Sequence, residues 1–178
     1  MIVRDEEPAD VDAVRRVQRE AFGAEGDTVA ALVDSLRDGG ALSLVAEVDG
    51  HVVGHVMFSH GWLDAPAELV PVRVLSPLGV LPDHQRSGVG TALVRAGLDR
   101  VSDVPLVFLE GDPGYYPRLG FRPGGELGFT KPSRRIPDAA FQVVPLPGYR
   151  PWMTGALVYP DVFWRHDAVG LREPFSRS

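Results

Sequence analysis

The chain has 178 residues, of which 44% are hydrophobic and 24% charged, so it is long enough for one well-buried domain and short for two. Its formal charge of -6 argues against a broad nucleic-acid surface, because its basic residues are scattered and phosphate binding needs them clustered. The absence of cysteine excludes disulfides, thiolate metal sites and a cysteine-linked covalent intermediate. No apolar run approaches the ~20 residues of a membrane span and the start lacks a signal-peptide pattern. We therefore expect a cytoplasmic protein, with residues 1–178 forming a single domain and no membrane partner.

Two helices are predicted after a short first strand. Residues 1–5 form the strand, and Pro8 follows where proline is tolerated, in the first turn of a helix. Apolar residues then recur at near-helical spacing and predict a helix over about 8–22. A second helix is predicted to begin with a cap at Asp27 and to end at the glycine pair that starts with Gly39.

Strands are predicted for the middle of the chain. The dipeptide Asp49-Gly50 is a strong two-residue turn between β-rich arms, so it predicts a hairpin. Residues 69–81 predict a further strand. Pro71 and Pro77 within it indicate a bend, a bulge or missing neighbours, because proline cannot donate a ladder hydrogen bond.

A strand, helix, strand unit is predicted next. A glycine-containing turn leads into a helix over about 88–102, and the apolar segment 105–110 is a compact strand. Positions 69–110 therefore imply a parallel pair of strands with a right-handed crossover. The succession of elements is that of an α+β domain.

The end of the chain gives weaker signals. A short helix is predicted near 113–119, and two strands are predicted within 140–146 and 152–159, after the polar loop 123–138. We expect the tail after Asp167 to fray.

The segment LGVLPDHQRSGVGTALV, residues 78–94, contains the strongest local motif. Glycine is favoured where the backbone needs positive φ or a close approach, and the bare amides of a helix that opens with glycines attract anions. The segment predicts a strand, a loop over a phosphate and a helix that receives the phosphate. A Walker loop is excluded because Gly90 is followed by Thr91 without a lysine, and a dinucleotide fingerprint is excluded because Leu93 fills its third glycine position. A simple tight turn is the remaining alternative.

The hexapeptide QRSGVG, residues 85–90, resembles the [Gln/Arg]-x-x-Gly-x-[Gly/Ala] pyrophosphate loop of the GNAT superfamily of N-acetyltransferases. Two further similarities follow in the family's order: the strand segment PLVFLEGD and then YYPRLGF, which is similar to the Tyr-x-x-x-Gly-Phe ending of the family's fourth helix. The resemblance covers most of residues 1–122. It implies the GNAT fold, a mixed and mostly antiparallel central sheet with helices on both faces, and acetyl-CoA as cosubstrate.

The resemblance also implies roles for particular residues. The strand residues Leu78, Gly79 and Val80 would hold the pantetheine arm through main-chain groups. The loop residues that would surround the pyrophosphate are Gln85, Arg86, Ser87, Gly88, Val89, Gly90 and Thr91. Tyr116 occupies the position of the general acid that protonates the departing thiolate. Tyr115 is the competing ring, and the four-residue step to Gly120 favours Tyr116.

The general base is where the chain departs from the family. Many members carry a glutamate on the strand before the pyrophosphate loop, and the corresponding VRVLS, residues 72–76, has no carboxylate. Glu110 or Asp112 could replace it through water, and His60 is a third candidate. For each of the three, a solvated strand-end residue is the more common role of such a side chain.

Two functions of different kinds are compatible with the sequence. The first is an N-acetyltransferase that moves the acetyl group of acetyl-CoA directly to a primary amine of a small molecule or a protein N-terminus. The second is a non-catalytic acyl-CoA-binding module that senses the cosubstrate or supports a partner, and the missing base favours it. We expect no metal, since the five histidines show no paired ligand spacing beyond chance. The acceptor and assembly into a homodimer are left open.

Overall fold

The computed structural model describes residues 1–172. The helices are α1 (Val11–Phe22), α2 (Gly26–Asp38), α3 (Val89–Arg100) and α4 (Asp161–Arg165). The strands are β1 (Ile2–Asp5), β2 (Leu42–Val48), β3 (His51–Asp64), β4 (Leu69–Val80), β5 (Leu106–Glu110), β6 (Arg122–Pro123), β7 (Phe129–Thr130), β8 (Phe141–Pro145) and β9 (Gly155–Val158). No helix in this part of the chain is long and apolar enough to cross a membrane.

One mixed sheet contains all of these strands. Its main order is β1-β2-β3-β4-β5-β8-β6, and β9 pairs with both β3 and β7. The pairs β4–β5 and β7–β9 are parallel, while the other pairs are antiparallel. The predicted α+β fold, with a parallel strand, helix, strand unit from β4 through α3 to β5, is therefore confirmed.

Helices cover both faces of the sheet, as predicted, and each face has its own apolar core. On one face, buried residues of α1 and α2, such as Val14 and Val33, pack with Val45, Met57 and Val74 of the strands. On the other face, α3 contributes residues that pack against the reverse side of the same strands; they include Val89, Leu93 and Val94, packed with Val56 and Phe58. The site described below lies where β4 and β5 separate between these two layers.

The separation of β4 from β5 begins at a bulge. Val56 of β3 lies opposite Leu78 of β4, but Phe58 lies opposite Leu75, so β4 carries one residue more than β3 there. The extra length includes Pro77, which agrees with the predicted irregularity. β4 pairs with β5 only at Arg73 and Val74, so its last six residues diverge from β5.

Several predicted elements have different bounds. The first α-helix begins at Val11, after a 3-10 turn over Pro8–Asp10. The second begins at Gly26 with Glu25 at the N-cap position, so the predicted cap, Asp27, lies inside the first turn, where its carboxylate accepts a hydrogen bond from Arg19 Nε at 3.1 Å. The short helix near 113–119 is a single 3-10 turn over Tyr116–Leu119, because proline and glycine on either side leave no room for a longer one.

The polar loop and the tail also differ from expectation. The loop 123–138 contains β7, whose two residues pair with β9 from far along the chain. The expected fraying after Asp167 is wrong for the described residues, because Val169 is only 1% exposed and the Leu171 N–H donates to Arg135 O at 3.0 Å. The rest of that prediction, on residues 173–178, lies outside the described chain.

Candidate functional site

The last residues of β4 present main-chain groups toward the gap beside β5. The Leu81 N–H donates to Val53 O on β3 at 2.9 Å. Main-chain groups of successive strand residues alternate between the two edges, so those of Leu78 and Val80 point away from β3. The Val80 carbonyl accepts a hydrogen bond from Gln85 Nε2 at 3.1 Å, which is consistent with this direction. No strand within residues 1–172 pairs with that edge beyond Val74.

The loop after β4 has two left-handed residues. Arg86 has φ +58° and Gly88 has φ +88°. A Cβ on Gly88 would meet nothing within 4 Å, so the glycine is required by the backbone angle and not by crowding. The Ser87 hydroxyl donates to His84 O within the loop. A hydrogen bond between two loop residues therefore stabilises the loop conformation. The Arg86 side chain is exposed to solvent.

The first turn of α3 has unsatisfied amides. Gly88 is its N-cap and supplies no side chain to bond them. The first main-chain bond of the helix runs from the Ala92 N–H to Gly88 O at 3.0 Å. The amides that precede it have no partner inside the helix, and they belong to Val89, Gly90 and Thr91. Together with the helix dipole they favour an anion at this end.

Tyr115 contacts this helix terminus. Its hydroxyl lies 3.2 Å from Thr91 Oγ1, and a Cβ on Gly90 would lie only 2.9 Å from it. The Arg118 guanidinium lies over the Tyr115 ring, 5.0 Å from its centroid. Gly90 therefore makes room for the tyrosine, a reason that the sequence motif alone did not reveal.

Tyr116 is packed from several sides. Its ring is edge-on to Phe121 and to Tyr115, with centroids 5.6 and 4.9 Å away, and a Cβ on Gly111 would lie 2.7 Å from its Cε2. Burial raises the pKa of the Tyr116 phenol above its ordinary value, so the hydroxyl is protonated at neutral pH. It is a proton donor beside a cleft.

That cleft has a volume of about 1260 Å³, large for a small-molecule site. Both tyrosines line it, together with the diverging residues of β4. The rest of its wall comes from the end of α1 and the start of α2, from residues 137–140 and from the C-terminal residues 166–172. The cleft therefore extends from the diverging part of β4 and Tyr115, which contacts the start of α3, to surfaces contributed by α1, α2 and the C-terminal segment.

Glu110 lies in this cleft at the end of β5. Its two carboxylate oxygens accept the Gly170 N–H at 3.2 and 3.1 Å. Burial raises the pKa of the Glu110 carboxyl, and the Gly170 hydrogen bond and the charge of Arg135 oppose that effect without cancelling it. A partly desolvated carboxylate of raised basicity fits the chemistry of a general base.

The other two candidates for the base have different surroundings. Asp112 lines the cleft but is exposed; its Oδ1 accepts the Gly114 N–H at 2.8 Å and its main-chain oxygen accepts the Tyr115 N–H at 3.1 Å, so it shapes a turn. His60 is exposed on β3 opposite Arg73 and does not line the cleft. Burial, followed by the charge of Arg73, lowers the pKa of His60.

The C-terminal wall of the cleft was missed by sequence reasoning. Gly170 has φ +64°, and a Cβ there would lie 2.6 Å from Arg135 backbone and side-chain atoms. Arg135 also donates to Val169 O at 3.0 Å, which ties the C-terminal segment to the loop before β8. The only sequence signal was a glycine after two small apolar residues, which is too weak to predict a contact with Glu110.

A buried chain of hydrogen bonds lies behind β4. Ser43 donates to the Glu6 carboxylate, so its oxygen accepts from His55 Nε2 at 2.8 Å. The His55 Nδ1 atom then accepts from Gln18 Nε2 at 2.7 Å. The remaining amide oxygen of Gln18 has no partner and lies against Gly79, where any Cβ would collide with it. Gly79 is therefore needed for the packing of α1 on β4.

His55 is neutral in this arrangement. Complete burial, followed by the charge of Arg37, lowers the pKa of His55 to about 3. His51, four residues earlier on the strand, is exposed. Within residues 1–172, no three histidine or acidic side chains are grouped as metal ligands would be.

Comparisons with known proteins agree on one family. The chain is 36% identical over 129 residues to the uncharacterized N-acetyltransferase YjhQ of Escherichia coli, covering 70% of this chain and 71% of that one. The structure is similar to that of the GNAT family N-acetyltransferase YhbS of Escherichia coli in complex with CoA, with a TM-score of 0.80, 31% identity and 92% of each chain covered. A GNAT family acetyltransferase of Brucella melitensis in complex with acetyl-CoA gives a TM-score of 0.72 at 32% identity, over 91% of this chain and 97% of that one. Residues 11–121 match the model of the acetyltransferase (GNAT) family, so the chain belongs to that family.

Proposed function

We propose that residues 1–178 act as one domain that transfers the acetyl group of acetyl-CoA directly to a primary amine of a small molecule or a protein N-terminus. One observation carries the proposal: the diverging part of β4, Tyr116 and Glu110 all border one cleft, and Tyr115, which also lines it, contacts the uncapped start of α3. The similar structures from Escherichia coli and Brucella melitensis contain CoA and acetyl-CoA, which supports the choice of cosubstrate.

The residues present fit the cosubstrate. The main-chain groups of Leu78 and Val80 would bond the pantetheine arm as an added strand would. The pyrophosphate would lie at the α3 terminus, where bare amides and the exposed Arg86 supply positive charge. The amides of diverging β4 would also polarise the thioester carbonyl, which is a large contribution to acyl transfer.

Glu110 and Tyr116 divide the proton transfers. The Glu110 carboxylate takes the proton that the amine loses as its nitrogen forms a bond to the acetyl carbon. The carbon–sulfur bond then breaks, and the Tyr116 hydroxyl gives its proton to the departing thiolate. The raised pKa of Glu110 suits its role because the carboxylate gains basicity, and the Tyr116 phenol holds its proton at neutral pH until the thiolate leaves.

A non-catalytic acyl-CoA-binding module is the second candidate. The observation in its favour is that β4 carries no carboxylate in its diverging part and that Glu110 already accepts a hydrogen bond from Gly170. A module of this kind needs the β4 edge and the α3 terminus but neither proton-transfer group.

A two-step experiment separates the two functions. Calorimetric titration with acetyl-CoA first establishes binding, and thiol release is then followed over a panel of primary amines. We expect binding, and thiol release that depends on the amine. Binding without release on any amine would favour the module, and no binding would contradict both functions.

A further inference from the structure

We infer that the acceptor is a primary amine joined to an apolar body and without a carboxylate beside the amine. This inference rests on the proposed function and concerns the part of the cleft that the cosubstrate groups do not border. That part is formed by the end of α1, the start of α2 and the C-terminal segment.

The first support is the charge of the cleft wall. Among the described residues it contains four carboxylates and one guanidinium, those of Glu25, Glu110, Asp112, Asp167 and Arg172. Arg172 Nε donates to both carboxylate oxygens of Asp167, at 3.0 and 2.8 Å. His166 Nε2 is bonded to Ser35 Oγ at 2.8 Å. The described wall therefore offers an ammonium group several carboxylates, and it offers an acceptor carboxylate no cation that lacks an anionic partner.

The second support is apolar surface at the same place. Phe22 is 39% exposed and Leu171 is 69% exposed, and both line the cleft from elements far apart in the chain. Val29 of α2 and Pro137 add to the apolar wall. Large apolar side chains left exposed beside a concave site commonly contact a ligand. Phe22 and Leu171 are therefore the residues that would hold the apolar body.

The carboxylates and the apolar side chains of the cleft would contact different parts of the acceptor. Glu110 faces the amine, while the apolar side chains contact what is attached to it. A carboxylate next to the amine would lie near Glu110, and the Arg135 charge that acts there already faces the carboxylates of Glu110 and Asp167. A third carboxylate would therefore add repulsion without a free counter-charge, and like charges brought together in such a site are strongly unfavourable. An amide or a hydrogen in that position carries no such penalty. Both a small arylalkyl amine and an uncharged peptide N-terminus have this chemistry.

The test compares four acceptors that share one apolar group: phenethylamine, phenylalanine, phenylalanine amide and a pentapeptide that begins with phenylalanine. Thiol release is measured at equal concentrations of the unprotonated amine. We expect kcat/KM for phenylalanine to be at least ~10-fold below that for phenethylamine and phenylalanine amide. Equal use of phenylalanine and its amide would overturn the inference. A higher kcat/KM for the pentapeptide than for phenethylamine identifies a peptide N-terminus as the acceptor, and the reverse order identifies a small amine.

Variants test the residues. Phe22→Ser and Leu171→Ser should each lower kcat/KM for phenethylamine by ~10-fold, with little effect on ethylamine or on the affinity for acetyl-CoA. Trp152→Ser is the matched control, because Trp152 is 43% exposed but does not line the cleft. Val29→Arg should raise the relative use of phenylalanine by supplying a cation. Equal losses in all three serine variants, or no change with Val29→Arg, would contradict the assignment.

Two further outcomes are distinguishable. Arg177→Gln in the full chain should keep the preference against phenylalanine, and loss of the preference would overturn the assignment of charges in the cleft wall. Thiol release that favours carboxylate-bearing amines refutes this inference and leaves the acetyltransferase function standing. Acetyl-CoA binding without release on any amine refutes the function and the inference together.

Discussion

The exchange of Tyr116 for phenylalanine removes one hydroxyl and keeps the ring. The ring packs edge-on against Phe121 and Tyr115 and against the Cα of Gly111, and phenylalanine preserves all three contacts. We expect the free energy of unfolding to change by less than about 0.5 kcal/mol.

The catalytic effect of the same change should be large. General acid catalysis contributes ~10²- to 10⁴-fold, which corresponds to about 3–5 kcal/mol of transition-state stabilisation. Because the hydroxyl acts on the leaving thiolate and not on the bound nucleotide, kcat should fall by that factor while the affinity for acetyl-CoA stays near that of the unchanged protein. Thiol release at saturating acetyl-CoA and calorimetric titration measure the two quantities separately.

Tyr115→Phe is the matched control. The Tyr115 hydroxyl bonds Thr91 at 3.2 Å beside the α3 terminus, so its loss should cost about 0.5–1.5 kcal/mol in stability or in acetyl-CoA affinity, with kcat little changed. If Tyr115→Phe lowers kcat and Tyr116→Phe does not, the roles of the two rings are reversed. If neither variant lowers kcat, the thiolate leaves without help from a tyrosine and the assignment of an acid at this site is wrong.

Three further changes test other parts of the molecule. Gly88→Val should weaken acetyl-CoA binding severely. Gly50→Val is the control, because Gly50 has a similar φ of +79° and equally open surroundings but lies in the β2–β3 hairpin, so this variant should show only the backbone strain of about 1–3 kcal/mol. Equal affinities of the two variants in calorimetry would contradict the anion site. Glu110→Gln should lower kcat/KM by ~10²- to 10⁴-fold and remove the low-pH limb of its pH profile. That limb should lie above the ordinary glutamate range because burial raises the pKa of Glu110, and a limb that persists in the variant would point to another base. The pKa of His55 is about 3 in the folded protein against about 6.5 when unfolded, so its stabilising contribution is complete above pH 6.5 and is lost as the pH falls toward 3. In urea unfolding, the free energy of unfolding should be about 2 kcal/mol lower at pH 5 than above pH 6.5 because of His55. If His55→Gln shows the same pH dependence, His55 is not its cause.

The sequence by itself determined the features that depend on neighbouring residues. The left-handed turn at Gly88 and the start of α3 follow from a glycine that directly precedes an apolar helical repeat, and the hairpin follows from Asp49-Gly50. Such features are encoded within a few residues, because backbone angles and side-chain periodicity are local properties. The α+β class and the strand, helix, strand unit followed from the order of those local elements.

Only the tertiary structure decided which distant groups meet in the cleft. The hydrogen bonds of Gly170 to Glu110 and the contact of Tyr115 with Gly90 join residues from different elements, and no local pattern encodes them. The same holds for the pairing of β7 with β9, two strands so short that their own residues give almost no signal. The basicity of Glu110 was equally beyond the sequence, because a carboxyl pKa depends on burial and on nearby donors, and these exist only once the chain has closed around it.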